Sequence, residues 1–211
     1  MKNKLNIFIA ILVLGFTQCT NAQTKPAKLI PPKGKALAVF AEGCFWCSEH
    51  IFEAVPGVEG AISGYSGGEL ANPTYEQVGG EMTGHAESVM VIYDPTKINF
   101  AELVKVFFAS HDPTTPNQQG PDRGPSYRSV AFYQNDAEKA AIEKEIAELT
   151  AQKRFKKPIV TEIKKLDIFW IAENRHQNYI NLHPENPYVE NVSIPRFELF
   201  KKNYDGKLKD E

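Results

Sequence analysis

The apolar run Ala36 to Ala41 ends in Glu42 and then in Gly43-Cys44-Phe45-Trp46-Cys47. The run has the length and composition of a short buried strand, and a helical pattern starts at once behind it, ended by Pro56-Gly57. A chain that turns from strand to helix through a glycine puts the residues of the turn at a helix N-terminus. Unpaired N–H groups and partial positive charge favour a thiolate there. Cys44 is therefore expected to be nucleophilic, and Cys47, three residues on, to reach it within one turn of helix.

The rest of the chain fits one domain around that junction. Val58 to Tyr65 predicts a second strand and Glu87 to Tyr93 a third. Asn99 predicts a helix start, with Glu102 positioned to complete a capping box and Ile98 to staple onto Leu103. A Pro- and Gln-rich loop from His111 to Pro125 leads to a strand at Ser129 to Tyr133, and Asp136 is expected to cap a longer helix carrying Ile142, Ile146 and Leu149. The order βαββαβ is the split βαβ, ferredoxin-like arrangement, so the expected fold is α/β of the α+β kind: a two-layer sandwich with helices on one face of a mixed sheet. Ile159 to Leu166 is expected to add a strand, Ala172 to Leu182 a helix, and His183 to Arg196 an irregular wrap.

Composition excludes several classes. The 211 residues are 42% hydrophobic and 24% charged, which is enough apolar material for a core. A formal charge of −2 gives no basic excess, so no nucleic-acid partner is expected. Lys2 and Lys4 precede the apolar run Leu5 to Phe16, and Thr20-Asn21-Ala22 follows: the layout of a secretory signal at residues 1–22, too short for a spanning helix. The expected location is exported and periplasmic, with a membrane-anchored lipoprotein acylated at Cys19 as the alternative. Residues 23–35, holding Pro26, Pro31, Pro32 and Gly34, read as a tether, 36–200 as the catalytic domain and 201–211 as a charged tail. Of three cysteines, cleavage would leave Cys44 and Cys47.

That pair admits a redox reading and a purely structural one. A zinc site would need two further ligands, and His176 and His183 are wrongly spaced to supply them, so no metal is expected. Phe45 and Trp46 are either core aromatics or the walls of a pocket for a small apolar group such as a methyl on sulfur. Glu87, at the entry of an apolar strand in Thr83-Gly84-His85-Ala86-Glu87, would become a general acid if buried. Tyr65 in Gly64-Tyr65-Ser66-Gly67-Gly68, and Asp122 and Tyr127 in the stretch Pro121 to Arg128, add hydrogen-bonding groups.

These segments, with Asn72-Pro73-Thr74-Tyr75-Glu76-Gln77-Val78, the Ser126-Tyr127-Arg128-Ser129 strand start and Ala172 to Tyr179, resemble the peptide methionine sulfoxide reductases of the A type, in order from about Ala36 to Val189. The resemblance implies that Cys44 attacks the sulfur of a methionine S-sulfoxide and becomes a sulfenic acid. It also implies that Glu87 protonates the oxygen, Tyr65 and Tyr127 hydrogen-bond it, Asp122 acts through water, and Phe45 and Trp46 wall the methyl group. Substrates would be oxidised proteins or peptides and methionine sulfoxide. Many members resolve the sulfenic acid with cysteines near the C-terminus; here Phe197 to Glu211 has none, and Cys47 is the expected resolving thiol. No bound cofactor is implied, only an external thioredoxin-like or dithiol reductant, and the enzyme is expected to be a monomer. Two other readings are an exported thioredoxin-type thiol-disulfide oxidoreductase and a non-catalytic module that binds Met-rich segments through Trp46.

Overall fold

A computed structural model describes residues 24–209. The expected leader and Cys19 lie outside the described residues. The elements, in chain order, are β1 (Lys25–Pro26), β2 (Ala36–Glu42), α1 (Phe45–Glu53), β3 (Val58–Ser66), α2 (Tyr75–Gly79), β4 (Ala86–Tyr93) and α3 (Phe100–Ser110). They continue with the ribbon β5 (Gln118–Gln119) and β6 (Asp122–Arg123), a 3₁₀ turn at Pro125–Tyr127, β7 (Ser129–Tyr133), α4 (Asp136–Ala151), β8 (Glu162–Lys165) and β9 (Phe169–Ile171). A second 3₁₀ turn at Asn174–His176, α5 (Tyr179–Leu182), a π-helical turn at Val189–Ser193 and α6 (Ile194–Asn203) complete the chain.

The main sheet runs β1-β9-β3-β4-β2-β7-β8. Its middle, β3-β4-β2-β7, is antiparallel throughout and is the split βαβ core expected from the pattern; β8 joins β7 in parallel and makes the sheet mixed. β2 reads as a continuous apolar run because both its faces are covered. Ala38 and Phe40 enter the helix-side core with Ile51 and Phe52 of α1, Leu103 and Phe107 of α3 and Ile142 of α4. Phe40 stacks on Phe52 at 5.3 Å and on Phe107 at 5.1 Å. On the other face Leu37, Val39 and Ala41 lie under Leu166, Phe169, Ala27 and Leu29. Residues 24–35, expected as a tether, are thus extended but laid on the sheet, with Lys25–Pro26 paired to β9.

α3 has the expected capping box: Asn99 N–H donates to Glu102 Oε2 at 2.9 Å, and Glu102 N–H to Asn99 Oδ1 at 3.0 Å. Other local expectations are corrected. Asn135, not Asp136, caps α4, because its side-chain carbonyl oxygen reaches the Glu138 N–H at 3.0 Å while Asp136 is already helical. The Ala172 to Leu182 helix is broken at Asn178, whose φ of 53° is left-handed, so only α5 remains. His183 to Arg196 is no irregular wrap: Val189–Ser193 forms a π-helical turn running into α6, with Pro195 in its first turn, where no N–H is needed. Lys201–Asn203 of the expected tail finish α6, and Lys209 then ties back through its ammonium to the carbonyls of Glu53 and Val58.

Candidate active site

At the end of β2, Gly43 has a φ of 94°, and a Cβ there would lie 2.6 Å from Cβ of Gln119. Only glycine permits both the turn and the close approach of the 118–119 loop. Cys44 is the N-cap of α1 and its side chain caps nothing. The first-turn N–H of Phe45 is satisfied from another strand: it donates to Glu87 Oε2 of β4 at 3.0 Å. Glu87 therefore lies buried at the positive end of α1, beside Cys44. Burial pushes its carboxyl up to about 8, further than the Phe45 N–H pulls it down, and the negative surroundings of Asp122, Cys47 and Glu81 add to the rise. Near neutral pH Glu87 is mainly the acid, with Oε1 left to carry the proton.

Cys44 and Cys47 are both free and buried, at 6% and 2% exposure, and each acts strongly on the ionisation of the other. Burial raises Cys44, and Cys47 and Glu87 raise it further. Cys47 is pulled down to about 6, first by the hydrogen bond from Cys44 and then, against burial, by Arg196 and Ser193. The two thiols therefore titrate as an interacting pair and not as independent groups. Cys47 Sγ also lies 3.3 Å from Ser193 Oγ in the π-helical turn.

Phe45 and Trp46 divide between core and wall. Phe45 is buried and packs with Tyr65, Val78, Trp170 and Ala172. Trp46 is half-buried, stacked on Tyr179 at 3.7 Å and held by its indole N–H on His176 Nδ1 at 3.3 Å. With Tyr75, Arg175, His176 and Tyr179 it lines an open depression of about 710 Å³.

The two expected phenols are placed differently. Tyr65 is fully buried and donates its hydroxyl proton to Glu173 Oε2 at 2.9 Å, while Glu173 Oε1 accepts the Tyr75 N–H at 3.0 Å. Tyr127 is half-buried among Glu87, Tyr75, Asp122 and Cys44, and burial, followed by Glu87, raises its phenol well above the usual range. Its turn is fixed by Glu81, which accepts from Ser126 N–H at 2.8 Å and Ser126 O–H at 2.7 Å. Asp122 accepts the Tyr188 hydroxyl at 2.5 Å, and Cys44 and Cys47 are the neighbours that, after burial, most raise the Tyr188 phenol. His85, between Gly84 and Ala86 of the same motif as Glu87, is structural: its Nδ1 accepts the Gly68 N–H at 3.1 Å and its Nε2 bonds the Leu70 carbonyl at 2.8 Å.

Behind Cys47 lies a second cavity of about 650 Å³, lined by Cys47, Asp122, Tyr188 and Arg196 among others. Arg196 of α6 bonds Glu42 Oε1 at 2.9 Å and the Ser110 carbonyl at 3.0 Å. Tyr188, Glu173, Glu81 and Arg196 escape the sequence reading because each acts from a segment read as loop or left without a role. The signals available were an isolated tyrosine and arginine in a Pro-containing stretch, which carry no periodicity. Among the described residues no group of three or more His, Cys, Asp and Glu is arranged to hold a metal ion, and no helix is long and apolar enough to cross a membrane.

Comparison with known proteins shows the family. The family model described as peptide methionine sulfoxide reductase matches residues 36–208. Peptide methionine sulfoxide reductase MsrA 1 of Rhodopirellula baltica is 46% identical over 176 residues, 83% of this chain and 91% of that protein. The MsrA of Saccharolobus solfataricus is 41% identical over 173 residues, covering 82% and 97%. Among solved structures, Mxr1 of Saccharomyces cerevisiae in reduced form superposes with a TM-score of 0.68 at 33% identity, over 77% of this chain and 91% of that one. Methionine sulfoxide reductase A of Corynebacterium diphtheriae gives 0.64 at 32% identity, over 72% and 77%.

Proposed function

The chain belongs to the peptide methionine sulfoxide reductase family, and from that premise we propose how its residues divide the reaction. It is an oxidoreductase that reduces methionine sulfoxide at the expense of thiols. Cys44 attacks the sulfoxide sulfur as Glu87 gives its proton to the oxygen. The oxygen passes to Cys44, leaving a thioether and a sulfenic acid. The Cys47 thiol condenses with that sulfenic acid, forming the Cys44–Cys47 disulfide and releasing water. An external dithiol of thioredoxin type reduces the disulfide and is itself oxidised to a disulfide.

The observation that carries this reading is the Phe45 N–H to Glu87 bond, which sets a mainly protonated carboxyl beside a reactive sulfur. Tyr127 donates to the sulfoxide oxygen, with Asp122 acting through water. Tyr65 spends its proton on Glu173 and so orients the Tyr75 side of the pocket rather than sharing Tyr127's task. Trp46 walls the S-methyl group, with Phe45 as its backing, and the S epimer of a protein-bound or free sulfoxide is the substrate. A disulfide exchanger has no use for the buried Glu87, and a binding module has none for paired thiols. Reduction of a protected methionine sulfoxide by dithiothreitol, lost in Cys44→Ser, tests the reading; insulin reduction without sulfoxide reduction would favour the exchanger.

The charged start, apolar run and small-residue stretch of residues 1–22 further support export to the periplasm. Intact mass of the secreted protein tests this. A chain starting at Gln23 supports it, and an acylated Cys19 replaces it with a lipid anchor.

A further inference from the structure

Among the described residues, the cavity behind Cys47 is lined by one arginine, Arg196, and no lysine, with Asp112, Asp122 and Tyr188 beside it. The charge on Cys47 is felt by Glu42 at the end of β2, Glu87 of β4, Asp122 of β6, Tyr188 and Arg196 of α6, besides Cys44 at the start of its own helix. His111 is close to Glu42, at 3.7 Å, but burial holds it down to about 3, so it is neutral and its ring bonds the Phe107 carbonyl and Ser129 Oγ instead. Among the described residues Arg196 is thus the positive charge that lines the cavity together with Cys47. Its position is fixed from two sides, by Glu42 and by the Ser110 carbonyl. One guanidinium nitrogen comes within 3.5 Å of where a Cβ on Gly43 would stand, next to the cysteine turn.

We propose that Arg196 is a positioning residue for the resolving half of the cycle: held by Glu42 and Ser110, it keeps the negative charge on Cys47 as that sulfur attacks the Cys44 sulfenic acid. The step forms the sulfur–sulfur bond and breaks the Cys44 sulfur–oxygen bond, and the hydroxyl leaves as water with the proton that Cys47 gave up. Glu42 sets how much of the cation Cys47 receives. It is buried, burial pushes it up to about 7, and Arg196 and Ser110 pull against that rise. When Glu42 is ionised it competes with Cys47 for Arg196; when protonated it leaves the guanidinium to the sulfur. The inference rests on the resolving role of Cys47, but the charge relation itself is measurable without it.

The test is thiolate absorbance near 240 nm as a function of pH in full-length protein carrying Cys19→Ser and Cys44→Ser, where the second substitution keeps a hydroxyl donor beside Cys47. Arg196→Met is expected to raise the midpoint by about one unit or more, a tenfold loss of thiolate at a given pH, and Arg196→Lys to raise it less. Glu42→Gln is expected to lower it. A purely structural role would not move the two positions in opposite directions. A folded Arg196→Met with a midpoint within about 0.3 units of its parent overturns the proposal. Should Arg196→Met fail to fold, an unchanged or raised midpoint in Glu42→Gln does the same. Failure of the resolving role is distinct: it would appear as sustained thioredoxin-driven turnover in Cys47→Ser, with the midpoint shifts intact.

Discussion

Phe45 and Glu87 are joined by a backbone-to-carboxylate bond of 3.0 Å that ties the first turn of α1 to the entry of β4. The register of the sheet makes it possible: Glu87 lies opposite Tyr65 on β3, and β4 lies beside β2, which delivers Cys44. One contact thus caps a helix, buries an acid and sets that acid beside the nucleophile.

Glu87→Gln keeps an oxygen for the Phe45 N–H but has no proton to give. The first turnover should slow by about 100-fold or more, the range of general acid catalysis. In the parent protein, with the carboxyl titrating at about 8, the acid form disappears as pH rises. Single-turnover formation of methionine should therefore fall above pH 8, and Glu87→Gln should lose that limb. An unchanged rate in the variant would remove Glu87 from the chemistry.

Glu81→Ala removes the acceptor for both Ser126 donors and so loosens the turn that aims Tyr127. The expected stability cost is about 1 to 2 kcal/mol, with a lower single-turnover rate in a folded protein. Tyr127→Phe should slow the same step more than Tyr65→Phe, whose proton goes to Glu173. Equal effects would return the two phenols to one role.

Trp46→Ala takes away the indole that stacks on Tyr179 and bonds His176. Its main effect should be a higher KM for a small methyl sulfoxide, with methyl-to-ethyl discrimination reduced. A change in kcat alone would show that Trp46 does not contact substrate.

Glu49 provides a pH test independent of activity. It accepts the Asn178 N–H at 2.7 Å and the Ser63 hydroxyl at 2.5 Å, yet burial still raises it to about 7. A carboxyl with a raised folded pKa binds more protons in the folded state, so its contribution is full below its unfolded value and is lost as pH rises through about 7. Thermal midpoints at pH 5 and pH 8 should therefore move in favour of Glu49→Gln at the higher pH. A difference independent of pH would show that Glu49 is not raised.

The parts legible in sequence were those carried by local signals. The β2 run, the Gly43 turn and the Asn99 capping box each follow from a few adjacent residues, and the order of strands then implies the split βαβ core. Cys44, Cys47 and Glu87 were legible because a thiol pair and a lone acid in apolar strands are costly to place without a purpose. Tyr188, Glu173 and Arg196 were not, since their contacts span 66, 108 and 154 residues of chain. Nothing near them in sequence announces the partner. The influence of Arg196 on Cys47 was likewise hidden, because the helix N-terminus is local and Arg196 is not.

The most direct measurement is the mass and disulfide map of reduced protein given one equivalent of a methionine S-sulfoxide without reductant. The account predicts one equivalent of methionine, loss of two hydrogens and a peptide linking Cys44 to Cys47. Methionine formed with a lasting gain of one oxygen, or with Cys47 recovered as a free thiol, would contradict it.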